Sequence, residues 1–353
     1  MMTLEQVLEQ IPPLDAEAMA RAKQRWDALA KPLHGLGDLE DTLVKIAGIR
    51  RTPVMDLRKK AVVVLCADNG VVEEGVSQTG QEVTRIITEN LGKGTSTVCH
   101  MARAAGADVI PVDIGVASEV HSRGVLHRKI AYGTKNFARQ PAMTRAQAVQ
   151  AIGVGIEIAL LCREQGYDII ATGEMGIGNT TSTAAVTAAL LHAPVELVTG
   201  RGSGLTSEGL VRKIQVVTRA LEQWQPDQHD PIDILSKVGG YDICGLTGLF
   251  LGGALCGLPM ILDGVISAAA ALCAVRLCPT VREYLIASHH TAEPAGMLLE
   301  QALDVKPMID ANMALGEGTG AVLLFGMLDA AASLYTNGNT FDDSNIETYQ
   351  PLS

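Results

Sequence analysis

A chain of 353 residues that is 47% hydrophobic yet only 3% aromatic has the material for a large aliphatic core, and its 36 glycines let backbones approach closely. That mixture suits layered α/β architecture better than a sandwich of aromatic-rich strands. A net charge of −11 with no long basic stripe argues against nucleic acid and anionic membrane surfaces as partners, while a small anionic substrate held by local groups stays open.

The opening MMTLEQVLEQ is acidic and amphipathic, so no secretory signal is expected. Leu4, Val7, Leu8 and Ile11 recur at helical spacing, and Pro12 and Pro13 stop that run. A second helix follows through Trp26 and Leu29, KPLHGLGDLE turns the chain, and a third helix ends near Ile49. AVVVLCA (61–67) is a continuous apolar run of the kind found in a parallel strand buried on both faces. After the loop VVEEGVSQTGQEVT, helices are predicted over about 81–90 and 96–105, a strand over 107–116, and a helix over 144–165, with His121 and His127 on the intervening stretch. YDIIATGEMGIGNTT (167–181) reads as strand, turn and helix start. PVELVTGRGSG (194–204), PMILDG (259–264) and YLIASHH (284–290) read as further strands with Ala-rich helices between them. The uncharged stretch 243–262 approaches the length of a membrane span, but its glycines, Pro259 and the Asp263 that ends it fit a buried helix and a buried strand better. The polar tail 337–353 is expected to be loosely held.

Strands alternating with helices predict a doubly wound parallel sheet, whose ligands bind beyond the carboxyl ends of its strands. The residues that follow the apolar runs are therefore informative. They are Asp68-Asn69, Asp113, the stretch from Glu174 to Thr181, the stretch from Gly200 to Gly204, Asp263-Gly264 and Ser288-His289-His290-Thr291. Nearly all are polar or glycine-rich, as the rim of one shared site would be.

GEMGIGNTT (173–181) opens a helix directly after a strand, so its backbone N–H groups and helix dipole suit an anion, and Asn179 or Thr180 could cap the helix. It is neither a Walker A loop nor a GxGxxG fingerprint. GRGSG (200–204) is a second glycine loop, and with Lys213 it makes a plausible phosphate nest, although Lys213 alone reads as a solvated surface lysine. His289 and His290 are adjacent on a strand end and point to opposite faces, so no shared metal is expected. The seven cysteines, Cys66, Cys99, Cys162, Cys244, Cys256, Cys273 and Cys278, form no CxxC pair. They read as reduced core residues of a cytoplasmic protein. In LGEGTGA (315–321), Glu317 is either an acid at a helix start or a base held where glycines admit a ligand.

LGEGTGA, GEMGIGNTT, SKVGGYDICGLTG (236–248) and ADNGVVEEGVS (67–77) occur together and in order. On these stretches, and over nearly its whole length, the sequence resembles the nicotinate-nucleotide:dimethylbenzimidazole phosphoribosyltransferases. The resemblance implies transfer of phosphoribose from nicotinate mononucleotide to 5,6-dimethylbenzimidazole, giving α-ribazole 5′-phosphate and nicotinate for the nucleotide loop of cobalamin. It implies a Rossmann-like α/β domain, about 59–304, with a smaller helical domain built from 1–58 and about 305–353. It also implies a homodimer, and no metal or cofactor is expected.

The same resemblance makes Glu317 the catalytic base, and Glu174 and Asp263 are candidates to stabilise charge in the transition state. It puts the donor's phosphate and ribose against Gly176, Gly178, Asn179 and Thr180, against Gly200, Gly202 and Gly204, and near Lys213 and Thr291. The acceptor pocket draws on Ser77, Thr79, Ile87, Met175 and Leu315. KPLHGLGDLE departs from the KPPGSLGRLE-like segment frequent in the family, and Ile87 stands where some members carry a polar residue. Purine or phenolic acceptors therefore stay open. Two other readings are a dehydrogenase on the same fold, which the missing GxGxxG opposes, and a non-catalytic nucleotide or benzimidazole sensor, which would have no need of Glu317.

Overall fold

The computed structural model of the chain describes residues 2–202 and 204–349. Three helices come first: α1 (Leu4–Gln10), α2 (Ala16–Ala28) and α3 (Asp38–Arg50). Strand β1 (Lys60–Ala67) leads through α4 (Glu82–Lys93) and α5 (Thr97–Ala104) to β2 (Ala107–Gly115) and the short β3 (Leu126–His127). Helix α6 (Arg145–Glu164) returns the chain to β4 (Ile169–Met175), which is followed by α7 (Asn179–Leu191), α8 (Val195–Val198), α9 (Ser207–Trp224), α10 (Pro231–Val238) and α11 (Tyr241–Cys256). Then come β5 (Met260–Leu262), α12 (Val265–Leu277), β6 (Leu285–Ala287), β7 (His289–Thr291), α13 (Gly296–Leu303), β8 (Ile309–Met313) and α14 (Thr319–Asn337).

Six strands form one sheet in the order β3-β2-β1-β4-β5-β6, and every pairing in it is parallel. This is the Rossmann strand order, with its switch point between β1 and β4. All eight residues of β1 are buried. Ala61, Val63 and Leu65 face one apolar layer with α6, α11 and α12, while Val62, Val64 and Cys66 face the other with α2, α3, α5 and α14. The continuous apolar run is thus a strand covered on both faces. Helices from both ends of the chain share the second layer. The Trp26 and Tyr335 rings meet edge to face at 5.2 Å, a contact contributing about 0.5–1.5 kcal/mol beyond area burial.

The stretch 241–262 is a helix then a strand, as its glycines suggested. The longer apolar helices α6 and α14, which have the length of a membrane span, pack against the sheet and are about half buried. One sequence expectation fails. The run 194–199 is not a strand but the single helical turn α8. Pro194 precedes that turn with φ −54°, and Thr199 Oγ1 closes it on the Val195 carbonyl at 2.6 Å. β4 already has β1 and β5 as neighbours and offers this run no edge. The short strands β7 and β8, which pair outside the main sheet, have no apolar run to announce them.

Candidate active site

The site begins where β4 ends. Gly176 sits so close to the Ala67 carbonyl and Asp242 that a Cβ there would collide with both, and Gly178 adopts φ +92°. The turn they form starts α7. Its N-cap is Gly178, not Asn179 or Thr180, and no side chain caps the helix. The Asn179 and Thr181 N–H groups donate to the Gly176 and Gly178 carbonyls at 3.1 and 3.0 Å, which leaves the Thr180 N–H to face a ligand among the described residues. The Ile177 N–H is tied back to Thr84 Oγ1 at 3.0 Å, which fixes the turn against α4. The Asn179 side chain points the other way and donates to Glu174 Oε2 and, at 3.1 Å, to Asp242 Oδ2.

Lys213 is wholly buried, contrary to the surface position its sequence context suggests. Its Nζ donates to Thr180 Oγ1 at 2.8 Å and to the Gly200 carbonyl at 3.1 Å. It thus stands behind both glycine loops. Burial lowers its pKa to about 8, partly offset by the Glu293 carboxylate. Gly202 lies beside Thr180 with φ +53°. Gly204 accepts from Gln78 Nε2, which joins this loop to the loop that carries Ser77.

The third wall is the loop before α14. Its N-cap is Gly318, so Glu317 lies one residue outside the helix, at φ +60°. A non-glycine residue there is strained, and such strain concentrates at functional sites. Two features hold the loop. Asp263, at the end of β5, accepts from the Gly318, Gly320 and Ala321 N–H groups at 3.2, 2.9 and 3.2 Å. Gly173 on β4 lies directly under the loop, where a Cβ would come within 2.5 Å of the Glu317 carbonyl oxygen. Glu317 Oε2 accepts from the Val98 N–H in the first turn of α5 at 3.1 Å. Asp263 is thus engaged mainly as the anchor of the loop that carries Glu317. Burial raises its pKa, against the pull of His289 and of the Ala321, Gly264 and Gly318 N–H groups.

These parts enclose a cavity of about 190 Å³. Glu174, Asp263 and Glu317 line it, as do Gly176, Gly178, Asn179, Thr180, Gly202 and Thr291, and Ser77, Met175 and Leu315. Gly200 and Lys213 support it from behind. Gly204 lies outside it on the loop, and Thr79 is exposed near its mouth. Ile87 packs against the apolar layer on the α14 side of the sheet. Two polar lining residues, Ser267 and Glu293, have no signal in the sequence, while Arg201 and His289 lie in stretches that the sequence places at the rim but without an assigned role. Arg201 lies within the GRGSG loop, and at His289 the sequence expects a place on the rim and no shared metal. His289 is buried and its partner His290 exposed, so the pair does point to opposite faces. No group of three or more His, Cys, Asp or Glu side chains is placed to hold a metal ion among the described residues.

Comparison with known proteins agrees with this geometry. A family model described as Phosphoribosyltransferase matches residues 11–346. A nicotinate-nucleotide–dimethylbenzimidazole phosphoribosyltransferase of Acetivibrio thermocellus is 46% identical over 98% of this chain and 99% of its own length. The protein of the same name from Ruminiclostridium cellulolyticum is 45% identical over 99% of this chain and 100% of its own. The crystal structure of CobT from Thermus thermophilus superimposes with a TM-score of 0.89 at 41% identity, covering 94% of this chain and 100% of that one.

Proposed function

The chain belongs to the phosphoribosyltransferase family whose model spans residues 11–346, and on that premise we propose that it carries out the reaction its relatives are named for. It moves 5-phosphoribose from nicotinate mononucleotide to 5,6-dimethylbenzimidazole, a step in building the nucleotide loop of cobalamin. The observation that carries this reading is the cavity itself. One side offers the Thr180 N–H at a helix start with no side-chain cap, backed by a buried lysine, and the other offers Glu317 on a strained loop.

The chemistry fits so sparse a set of groups. The donor's pyridinium nitrogen is positive, and breaking its bond to C1′ neutralises it, so the leaving nicotinate needs no general acid. The acceptor attacks through one ring nitrogen, and positive charge builds on its ring. Its remaining N–H then becomes acidic, and a single carboxylate at hydrogen-bond distance suffices to take the proton. We assign that role to Glu317. Attack from the opposite face inverts C1′. The phosphate would lie against Gly176, Gly178, Thr180 and Gly202 with Lys213 behind them, near Gly200, Gly204 and Thr291. Asn179 serves the wall through its contacts to Glu174 and Asp242. The acceptor ring would meet Met175 and Leu315, with Ser77 at its polar edge and Thr79 and Ile87 on the adjoining segment. Glu174 and Asp263 complete the acidic wall.

Two further points belong to this reading. Leu315, 55% exposed at the cavity rim, leaves apolar surface for a ring or for a second copy of the chain, and a homodimer is expected by light scattering. All seven cysteines are unpaired, which suits the cytoplasm. The small helical domain of 1–58 and about 305–353 is retained as the proposed division of the chain.

Product formation from the two substrates, followed by chromatography with mass detection, tests the function. The intact protein should give α-ribazole 5′-phosphate, and Glu317→Gln should lose about 10²–10⁴-fold in kcat, the usual value of a positioned base. Equal rates from the two proteins would sink Glu317 as the base.

A further inference from the structure

Behind the cavity wall, Glu174 and Asp242 share one amide. Asn179 Nδ2 donates to an oxygen of each. Asp242 has a second donor, the Ile243 N–H at 3.0 Å, at the start of α11. Glu174 has none. Its Oε1 instead lies against Gly316 on the cavity wall, where a Cβ would come within 2.7 Å of it. The groups facing Glu174 are Asp242 from α11, Asn179 from α7, Asp263 from the end of β5 and Glu317 from the loop before α14. The Cys66 thiol of β1 lies near both carboxylates, and burial keeps it neutral. Asn69 faces Asp242 from the end of β1. Neither carboxylate has a cation partner among the described residues.

Two buried carboxylates on one amide share a proton rather than both ionising. The anion settles where more N–H groups point, on Asp242, and the proton settles on Glu174. We propose that Asp242 is a positioning residue for the transfer: it holds the pair's negative charge behind the wall, so that Glu174 presents a protonated carboxyl, a hydrogen-bond donor, to the bound phosphoribosyl group. This rests on the transferase reading above. Burial and the neighbouring Asp242 push Glu174 up to about 8, while burial pushes Asp242 only to about 6, which is the same order. The site then contains two carboxyl groups in different roles, Glu317 accepting a proton and Glu174 donating a hydrogen bond.

The test has two arms, and the first needs no turnover. The infrared difference spectrum of the full protein, wild type minus Glu174→Gln near neutral pH, should contain the carbonyl stretch of a protonated carboxyl. Carboxylate bands alone would overturn the proposal. The second arm is the pH profile of kcat at saturating donor, where bound phosphate keeps Lys213 charged. The wild type should lose activity as pH rises through about 8. In Asp242→Asn that limb should move to lower pH by about one unit, because the neighbouring negative charge is gone, and in Glu174→Gln it should vanish. A limb that stays in place in Asp242→Asn while the rate falls would leave Asp242 a packing residue. If nicotinate mononucleotide is not turned over at all, the infrared arm still decides where the proton lies, so the two readings fail separately.

Discussion

Lys213 illustrates how far a single residue's surroundings set its task. A buried ammonium needs compensation, and here it comes from two oxygens, Thr180 Oγ1 and the Gly200 carbonyl. Both belong to the loops assigned to the donor's phosphate. Removing the charge while keeping the volume, as Lys213→Met, should raise KM for nicotinate mononucleotide by about 10–100-fold, the value of one charge-assisted hydrogen bond. It should leave Tm unchanged or higher, because a poorly solvated charge is gone. Steady-state kinetics with a melting curve separates this from a folding defect, which would lower Tm. The KM of the wild type should also climb above about pH 8 as the lysine loses its proton. The sequence grouped Lys213 with the two glycine loops as a phosphate nest, but its burial was not legible there. Lys213 sits in α9 with the spacing of a surface residue, and only the fold lays Thr180 and Gly200 over it. Glu317 was legible, because a carboxylate between glycines is odd by itself. Its positive φ and its bond to the Val98 N–H were not, since α5 lies far from it in the chain.

Glycine spacing decides how the elements approach one another. Helices α6 and α11 cross so closely that a Cβ on Gly155 would run into the Gly245 carbonyl, and one on Gly248 into that of Ile152. Gly248→Ala should therefore cost stability, by about 1–3 kcal/mol as for other overpacked cores, with little effect on kcat in whatever folds. Gly173→Ala belongs to the other class. Its Cβ would press on the Glu317 carbonyl oxygen, so the loop must shift, and kcat should fall by about 10²-fold because misplacing a catalytic group by 1 Å costs that much. A denaturant melt beside an activity assay on both variants checks the contrast, and equal loss of activity in the two would refute it. The same dependence on neighbours explains which elements the sequence revealed. β1 announces itself because both its faces are covered, which makes its apolar run continuous, and β4 does so over its first three residues before Thr172 and Glu174. The run that forms α8 also looked apolar, but β4, the strand it follows most closely in the chain, already has β1 and β5 on its two edges. β7 and β8 pair only with each other and needed no such run.

Over the whole molecule, the buried charges of the site leave a signature in stability. Glu174 is raised from 4.5 to about 8, and Asp68 and Asp242 from 3.8 to about 6, each chiefly by burial. Between the unfolded and folded values, the folded protein binds more protons than the unfolded chain, so stability falls as pH rises through that window. Lys45 and Lys213 are lowered from 10.5 to about 8, again chiefly by burial. Between about 8 and 10.5 these two lysines give the opposite sign, but the buried thiols of Cys66, Cys162, Cys244, Cys256 and Cys273, raised above 9 by burial, keep protons that the unfolded chain loses and so oppose them. Carboxylates held low by exposed partners, such as Asp56 at about 2, act only at acid pH. Tm should therefore fall as pH rises from about 5 to 8. Calorimetric scans across the range would reveal it, and a Tm that climbs steadily to pH 8 would contradict the assignment. Glu174→Gln removes the largest of these contributions. It should raise Tm near pH 8 and change it little near pH 5. The folded protein keeps Glu174 protonated throughout that range, and the resulting destabilisation grows by roughly 1.4 kcal/mol for each pH unit above the unfolded chain's value of 4.5. A protein selected for stability alone would not keep uncompensated carboxylates behind its cavity. Their retention is what a site built to hold one proton at a fixed place requires, even though it lowers stability.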